Sequence, residues 1–318
     1  SCGYIGGCDR QHGDSKIYTI KQIDPNKPVI ISWTNGYNNM KCRGGAYCGE
    51  EKLTISNAQN TEFYQSFDYS NPNNPTRFDW RNVNGKNYVS PVRDQGNVGN
   101  CIAHAIAAAM ESGVLITKDM PLKPGEDPIN LSENQMYDCF RNNELKPTRW
   151  SMTGSLFDAL RDFGIVNEMS GDCNNYKDRQ AQGKYTQYAD YYVLSMEVRN
   201  DHHVKVKNVT EKEMHNIMKK WISTRGPVAT SMLTYASFED LKAGEVYRTT
   251  AKERAGGSGQ HAVCIIGYDD DKQAWLVKNS WGTTWADKGF GWIGYGECTI
   301  DMAGHMIGFT GYDKITMN

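Results

Sequence analysis

The chain has 318 residues, 39% hydrophobic and 23% charged, enough for one large domain or two ordinary ones and too apolar for a disordered protein. Its 35 basic and 37 acidic residues leave a formal net charge of -2, with no prominent basic run, which argues against nucleic acid or an anionic membrane as partner. No apolar run reaches the ~18 residues of a membrane span.

In chain order, Val29-Ile-Ile-Ser-Trp33 before Thr34-Asn-Gly36 reads as a strand entering a turn. Pro72-Asn-Asn-Pro75 reads as a linker, and composition changes near residue 77. Residues 101–116 predict a helix: alanine has the highest helix propensity, and Ile102, Ile106, Ala109 and Met110 fall on one stripe. Ser132-Glu-Asn-Gln135 has capping-box spacing and predicts another helix start. Residues 211–224 predict a third helix, ended by Gly226-Pro227. Residues 261–266, 274–277 and 291–294 read as strands. Helices dominate the first part and strands the second, which predicts an α+β fold with two subdomains.

The first residue is Ser rather than Met, from which a removed secretory signal is expected. Nine cysteines are many for a cytosolic protein, and their odd count leaves one unpaired if the rest form bridges. Glycosylation sequons stand at Asn130-Leu-Ser132 and Asn208-Val-Thr210. The expected setting is the secretory pathway, ending in a lysosome-like compartment or outside the cell. Cys2, Cys8, Cys42 and Cys48 lack zinc-site spacing and read as disulfide partners, and no metal is expected. Cys139 and Cys173 read as a structural bridge, Cys264 as a buried thiol, and the state of Cys298 is open. Asp269-Asp-Asp271 reads as a solvated hairpin turn.

The chemistry starts at Cys101. A thiol is a strong nucleophile only as thiolate, and a helix N-terminus and a nearby imidazolium both favour that anion. Cys101 stands at the predicted helix start, and His261 supplies a candidate imidazole to take and return a proton. The Asn279 side chain is a candidate to orient that histidine, with Trp281 covering the bond. Gln95 and the Cys101 backbone N–H are candidate donors to a developing oxyanion. His104, one helical turn beyond Cys101, reads as packing on the helix surface.

Phe78-Asp-Trp-Arg81, Pro91-Val-Arg-Asp-Gln95, Leu131-Ser-Glu-Asn-Gln135 with Asp138-Cys139, Gly226-Pro-Val228, His261-Ala-Val263, Lys278-Asn-Ser-Trp-Gly282 and Gly289-Phe-Gly291 follow one another in an order that resembles the papain-like cysteine peptidases over residues 78–318. Within that family, Cys101-Ile-Ala-His-Ala105 and Cys173-Asn-Asn-Tyr176 look most like cathepsin Z, and Val89-Ser-Pro-Val-Arg93 equally like cathepsin C. The resemblance implies a two-subdomain fold with a helical left half and a β-barrel-like right half. It implies acid-favoured peptide hydrolysis through an acyl-thioester, without metal or organic cofactor. Polypeptide substrates and cystatin-like inhibitors are the implied partners. Cys101 becomes the nucleophile, His261 the base and then acid, Asn279 the orienter and Gln95 the oxyanion donor. Thr153, Gly154, Val228, Ala262, Ala303 and Trp281 fall along the substrate cleft. The stretch from Cys101 to His261 exceeds the family's ~130–150 residues, which implies an insertion within 170–210.

The pattern also breaks. Val98 replaces a disulfide cysteine, and its usual partner is missing from Trp150-Ser-Met-Thr-Gly154 as well. Ile102 stands where the family has Trp, and Thr153 where it has Gly. Gln95 to Cys101 is too short for the insertion that makes cathepsin Z a carboxypeptidase, so endopeptidase action is expected. Ala303, five after Cys298, predicts an uncharged pocket floor and an apolar preference there. Residues 1–77 read as a small strand-and-loop module with three accounts: a pro-segment that is later cut, a permanent exclusion or binding module, or the binding part of a scaffold that no longer cleaves. A bridge from Cys2, Cys8, Cys42 or Cys48 to Cys101 would make the chain a zymogen.

Overall fold

The computed structural model describes residues 30–33, 53–56, 73–140, 165, 187–194, 211–301 and 306–314. Near the N-terminus, β1 (Ile30–Trp33) pairs antiparallel with β2 (Leu53–Ser56). Next come β3 (Arg77–Asp79), the helix α1 (Cys101–Thr117) and β4 (Gln187–Leu194). They are followed by α2 (Glu211–Thr224), β5 (Val228–Thr234), β6 (Val246–Tyr247) and the short α3 (Ala251–Ala255). The chain then forms β7 (Gly259–Asp269), β8 (Ala274–Lys278), β9 (Phe290–Gly294) and β10 (Met306–Lys314).

The strands from β3 onward form one eight-stranded sheet in the order β4-β10-β5-β7-β8-β9-β6, with β3 pairing β7 off that path. The architecture is α+β, as the alternation of helical and strand patterns predicts. The barrel-like half is not a closed barrel. Among the described residues the sheet is open, with β4 at one end and β6 at the other. β6 pairs with β9 only through Val246 and Tyr247, too short an edge to carry the sheet round to closure.

α1 packs against β7, β5 and β10. The sequence predicts a stripe, but every residue from Cys101 to Leu115 is buried. A helix enclosed on all faces suits small side chains, and Ala103, Ala105, Ala107, Ala108 and Ala109 allow close approach. α2 is one-sided: Met214, Ile217, Met218, Trp221 and Ile222 are buried at i, i+3, i+4, i+7 and i+8. Trp80 donates its indole N–H to the Ile222 carbonyl at 2.8 Å, which ties the β3 end to α2. Ser132 Oγ accepts the Gln135 N–H at 2.9 Å, the predicted capping bond. The turns beyond it are wider than expected, a π-helix over Gln135–Phe140.

β7 is the spine of the sheet. Asp79 of β3 pairs with Gly267, and a Cβ at that glycine would fall on the Phe78 carbonyl oxygen. Backbone cannot swing aside as a side chain can. Gly267→Ala is therefore expected to destabilise the fold by about 1–3 kcal/mol. Urea unfolding would read this as a lower midpoint at unchanged slope, and an unchanged midpoint would refute it.

Candidate active site

His261 lies on β7 and Asn279 directly follows β8, two antiparallel neighbours whose register sets Cys264 opposite Lys278. That pairing brings together two side chains far apart in sequence. His261 Nε2 lies 2.7 Å from Asn279 Oδ1, and the pair is buried. The amide oxygen only accepts, so Nε2 carries the proton in this bond and Nδ1 is left for exchange. Asn279 Oδ1 also accepts the Ser280 N–H at 2.8 Å, and Asn279 N–H donates to the Gly289 carbonyl at 3.0 Å. Trp281 stacks on the imidazole at 4.7 Å and 28°, backed edge-on by Phe238 at 5.3 Å. Burial pushes the His261 imidazole down to about 4; the Asn279 bond opposes this, and the neighbouring charge of His104 adds to it.

Cys101 begins α1 and is fully buried. It is disulfide-bonded. Cys264 and Cys298 are free, so neither is its partner. Gln95 is held on both ends of its amide: Nε2 donates to the Val98 carbonyl at 2.8 Å, and Oε1 accepts from Ser280 Oγ at 2.7 Å. Its backbone N–H donates to the Ser280 carbonyl at 2.8 Å, and Gly282 N–H donates to the Arg93 carbonyl at 3.0 Å. The loop before α1 is thus strapped to the Asn279–Gly282 turn.

Behind these residues is a buried charged relay. Lys278 Nζ donates to Ser90 Oγ at 2.9 Å, and Ser90 Oγ donates to Glu111 Oε1 at 3.0 Å. Arg93 stands 3.4 Å from Glu111 and forks onto Asp127 at 2.5 and 2.8 Å. Burial pushes the Glu111 carboxyl up, against the pull of Lys278 and Arg93. Burial likewise pushes Lys278 down. Sequence reasoning missed this relay. Its signal was present as one Glu within the alanine-rich α1 and one Lys closing an apolar strand, two charges in runs otherwise destined for the interior.

His104 also needs correction. It is 9% exposed rather than on the helix surface, with Nδ1 3.3 Å from Glu133 Oε1. The helix around it is enclosed on all sides, so no surface face was available. Of the predicted cleft residues, Val228 and Ala262 are buried in β5 and β7, and Trp281 is half-buried. Thr153, Gly154 and Ala303 lie outside the described residues, as do Cys173, the side chain of Cys139, and Cys2, Cys8, Cys42 and Cys48. Ile102, in place of the family's Trp, is fully buried, whereas Val98 is 46% exposed. Cys264 is a buried free thiol as expected, and Cys298 is one too, with burial pushing both up to about 12. Asp269 ends β7 and is buried, not solvated as expected, and Asp270 and Asp271 enter the β7–β8 turn; Asp269 accepts the Asp271 N–H at 2.8 Å, and Asp271 pairs with Arg77 at 2.6 Å.

A helix that starts on a cysteine, packed on the strand that carries a buried and amide-bound histidine, is the arrangement of a thiol hydrolase. The chain belongs to the papain family of cysteine proteases: the sequence model described as papain family cysteine protease matches residues 74–307. It is a cysteine peptidase. Cysteine proteinase 2 of Entamoeba histolytica is 27% identical over 248 residues, covering 76% of this chain and 70% of the relative. Pro-cathepsin H of Bos taurus is 28% identical over 232 residues, covering 72% of this chain and 62% of the relative. Cathepsin Z of Onchocerca volvulus is 27% identical over 273 residues, 83% of each chain. The structure of digestive procathepsin L 3 of Tenebrio molitor larval midgut shares the fold, with a TM-score of 0.56 at 22% identity over 77% of this chain and 73% of that one. Among the described residues no helix is long and apolar enough to cross a membrane.

Proposed function

We propose that Cys101, His261, Asn279 and Gln95 hydrolyse internal peptide bonds by thiolate attack, and that the chain with Cys101 in a disulfide is the latent form. The observation that carries the reading is the buried bond between His261 Nε2 and Asn279 Oδ1 at 2.7 Å. With the amide oxygen as acceptor, the bond supports a proton on Nε2 and Nδ1 as the working nitrogen. Once freed, the Cys101 thiol transfers its proton to Nδ1, and the helix N-terminus and the new imidazolium both favour the thiolate. Sγ attacks the carbonyl carbon, and the oxyanion forms beside the Cys101 backbone N–H and the Gln95 amide. The C–N bond then breaks as Nδ1–H protonates the leaving amine. Water, deprotonated by Nδ1, attacks the thioester; Sγ leaves, and the acid product is released.

In the disulfide, Sγ has no proton to give and no charge. His261 then sits neutral and buried, consistent with its depressed pKa. We infer that the partner of Cys101 lies in residues 1–77, which makes that segment the covalent lock. Val228, Ala262 and Ala303 fit an apolar main specificity subsite. Polypeptides are the substrates, cystatin-like proteins suit the site as inhibitors, and a secretory or lysosomal setting fits the sequons and the disulfide.

The test is labelling of the full chain with a thiol-reactive epoxide at about pH 4–7, the range in which cysteine and histidine trade a proton. The expected result is a single adduct at Cys101 that forms only with reductant, with disulfide mapping placing its former partner in residues 1–77. No adduct and no cleavage of a peptide library under any of these conditions would make the chain a binding scaffold instead.

A further inference from the structure

His104 is one turn along α1 from Cys101, and its side chain is 9% exposed. In the first turns of a helix the positive end of the dipole disfavours an added cation. Here a carboxylate compensates. Glu133 Oε1 lies 3.3 Å from His104 Nδ1, and the Glu133 side chain is only 8% exposed. The two nevertheless do not meet in hydrogen-bond geometry, so Nδ1 is a buried polar atom without a hydrogen bond. His104 lines a small cavity with room for roughly one water. Asn279 borders the same cavity, and its Nδ2 is likewise buried without a hydrogen bond. The residue one turn behind the nucleophile and the residue bonded to His261 therefore line one small cavity.

The charged groups around that space are Glu111 from α1, Glu133, Arg93 from the preceding loop and Lys278 from β8, and His261 reaches it through its bond to Asn279. Glu111 and Glu133 offset Arg93 and Lys278 only in part, because burial pushes the Glu111 carboxyl up, and a charge on His104 would add to that excess. We propose that His104 is a positioning residue for the reaction: a second imidazole, held by Glu133 behind the site, whose charge decides how readily His261 becomes imidazolium. A charge on His104 would lower the His261 imidazole in the same direction as its burial does. When His104 is charged, it works against the imidazolium that the thiolate needs. When it is neutral, that opposition is gone. The proposal rests on His261 being the working base.

Linkage makes the effect reciprocal, so each imidazole must report the other. The experiment is a side-chain NMR titration of both histidines in the full Cys101→Ser chain under reductant, alone and with His104→Gln or His261→Gln. The expected result is that H104Q shifts the His261 titration to higher pH and H261Q shifts that of His104 the same way. In the Cys101-containing chain, the limb of the kcat/KM profile that reports His261 then moves up with H104Q. A purely structural His104 would lower stability without moving either. An unchanged His261 titration in a folded H104Q chain overturns the proposal. Should H104Q fail to fold, an unchanged His104 titration in the H261Q chain overturns it equally. Coupled titrations in a chain without any turnover would sustain the proposal and count against the peptidase reading alone.

Discussion

Replacing Cys101 with Ala is expected to lower kcat/KM of the reduced chain by at least about 10⁴-fold. On the proposed reading, the alanine removes the sulfur that forms the acyl intermediate. His261→Ala is expected to cost nearly as much, because an unassisted thiol offers little thiolate at acid pH and the leaving amine needs a proton. The two act as a unit, so the double variant should be no slower than the worse single one. Additive losses would show two independent contributions and break the pairing of Cys101 with His261. Retention of activity within about tenfold in Cys101→Ala, a change of only ~1.4 kcal/mol in barrier, would place the nucleophile elsewhere. Cys264 is a poor substitute, since it is fully buried and its thiol is pushed up to about 12.

Lys278→Met is expected to destabilise the fold by about 3–5 kcal/mol, the usual cost of removing one partner from a buried charge arrangement. Lys278 is 4% exposed and Glu111 is fully buried, joined through Ser90. Without the lysine, Glu111 keeps the Ser90 hydroxyl and, as cation, Arg93, which is shared with Asp127. Burial already holds the Glu111 carboxyl above its ordinary 4.5, and loss of Lys278 raises it further. A carboxyl that binds its proton more tightly folded than unfolded adds stability at low pH. That contribution is lost as pH rises from about 4.5 through the raised folded value. The variant should therefore be closest to wild type in acid and weakest in alkali. Denaturant midpoints across pH check this, and a Glu111→Gln partner change should recover much of the loss. A deficit that is flat with pH would mean that Glu111 does not answer to Lys278.

Some parts of this molecule are visible in one dimension. α2 announces itself because Met214, Ile217, Met218, Trp221 and Ile222 repeat with the helical period, and Gly226-Pro227 cannot continue it. β7, β8 and β9 show as β-branched and aromatic runs between turn residues. The boundaries of α1 were legible, but its burial was not. A stripe is the usual sign of a helix with one covered face, and an alanine-rich segment looks the same whether one face or all of them are enclosed.

The residue types and order of Cys101, His261 and Asn279 were set by the sequence alone, since a thiol, an imidazole and an amide in that context suit one chemistry. Their assembly was decided by strand pairing, which set Asn279 within 2.7 Å of His261 and laid Trp281 over the ring. Short-range propensity carries no information about such register, because it depends on which strands meet across the sheet. The fate of the charges was likewise a tertiary matter. Glu111, Lys278, Glu133 and His104 read as ordinary polar residues until packing removed water from them, and burial then pushed the Glu111 carboxyl up and Lys278 down. The state of Cys101 belongs to the same category: a sequence can supply the thiol, but only the folded chain decides whether a second cysteine reaches it.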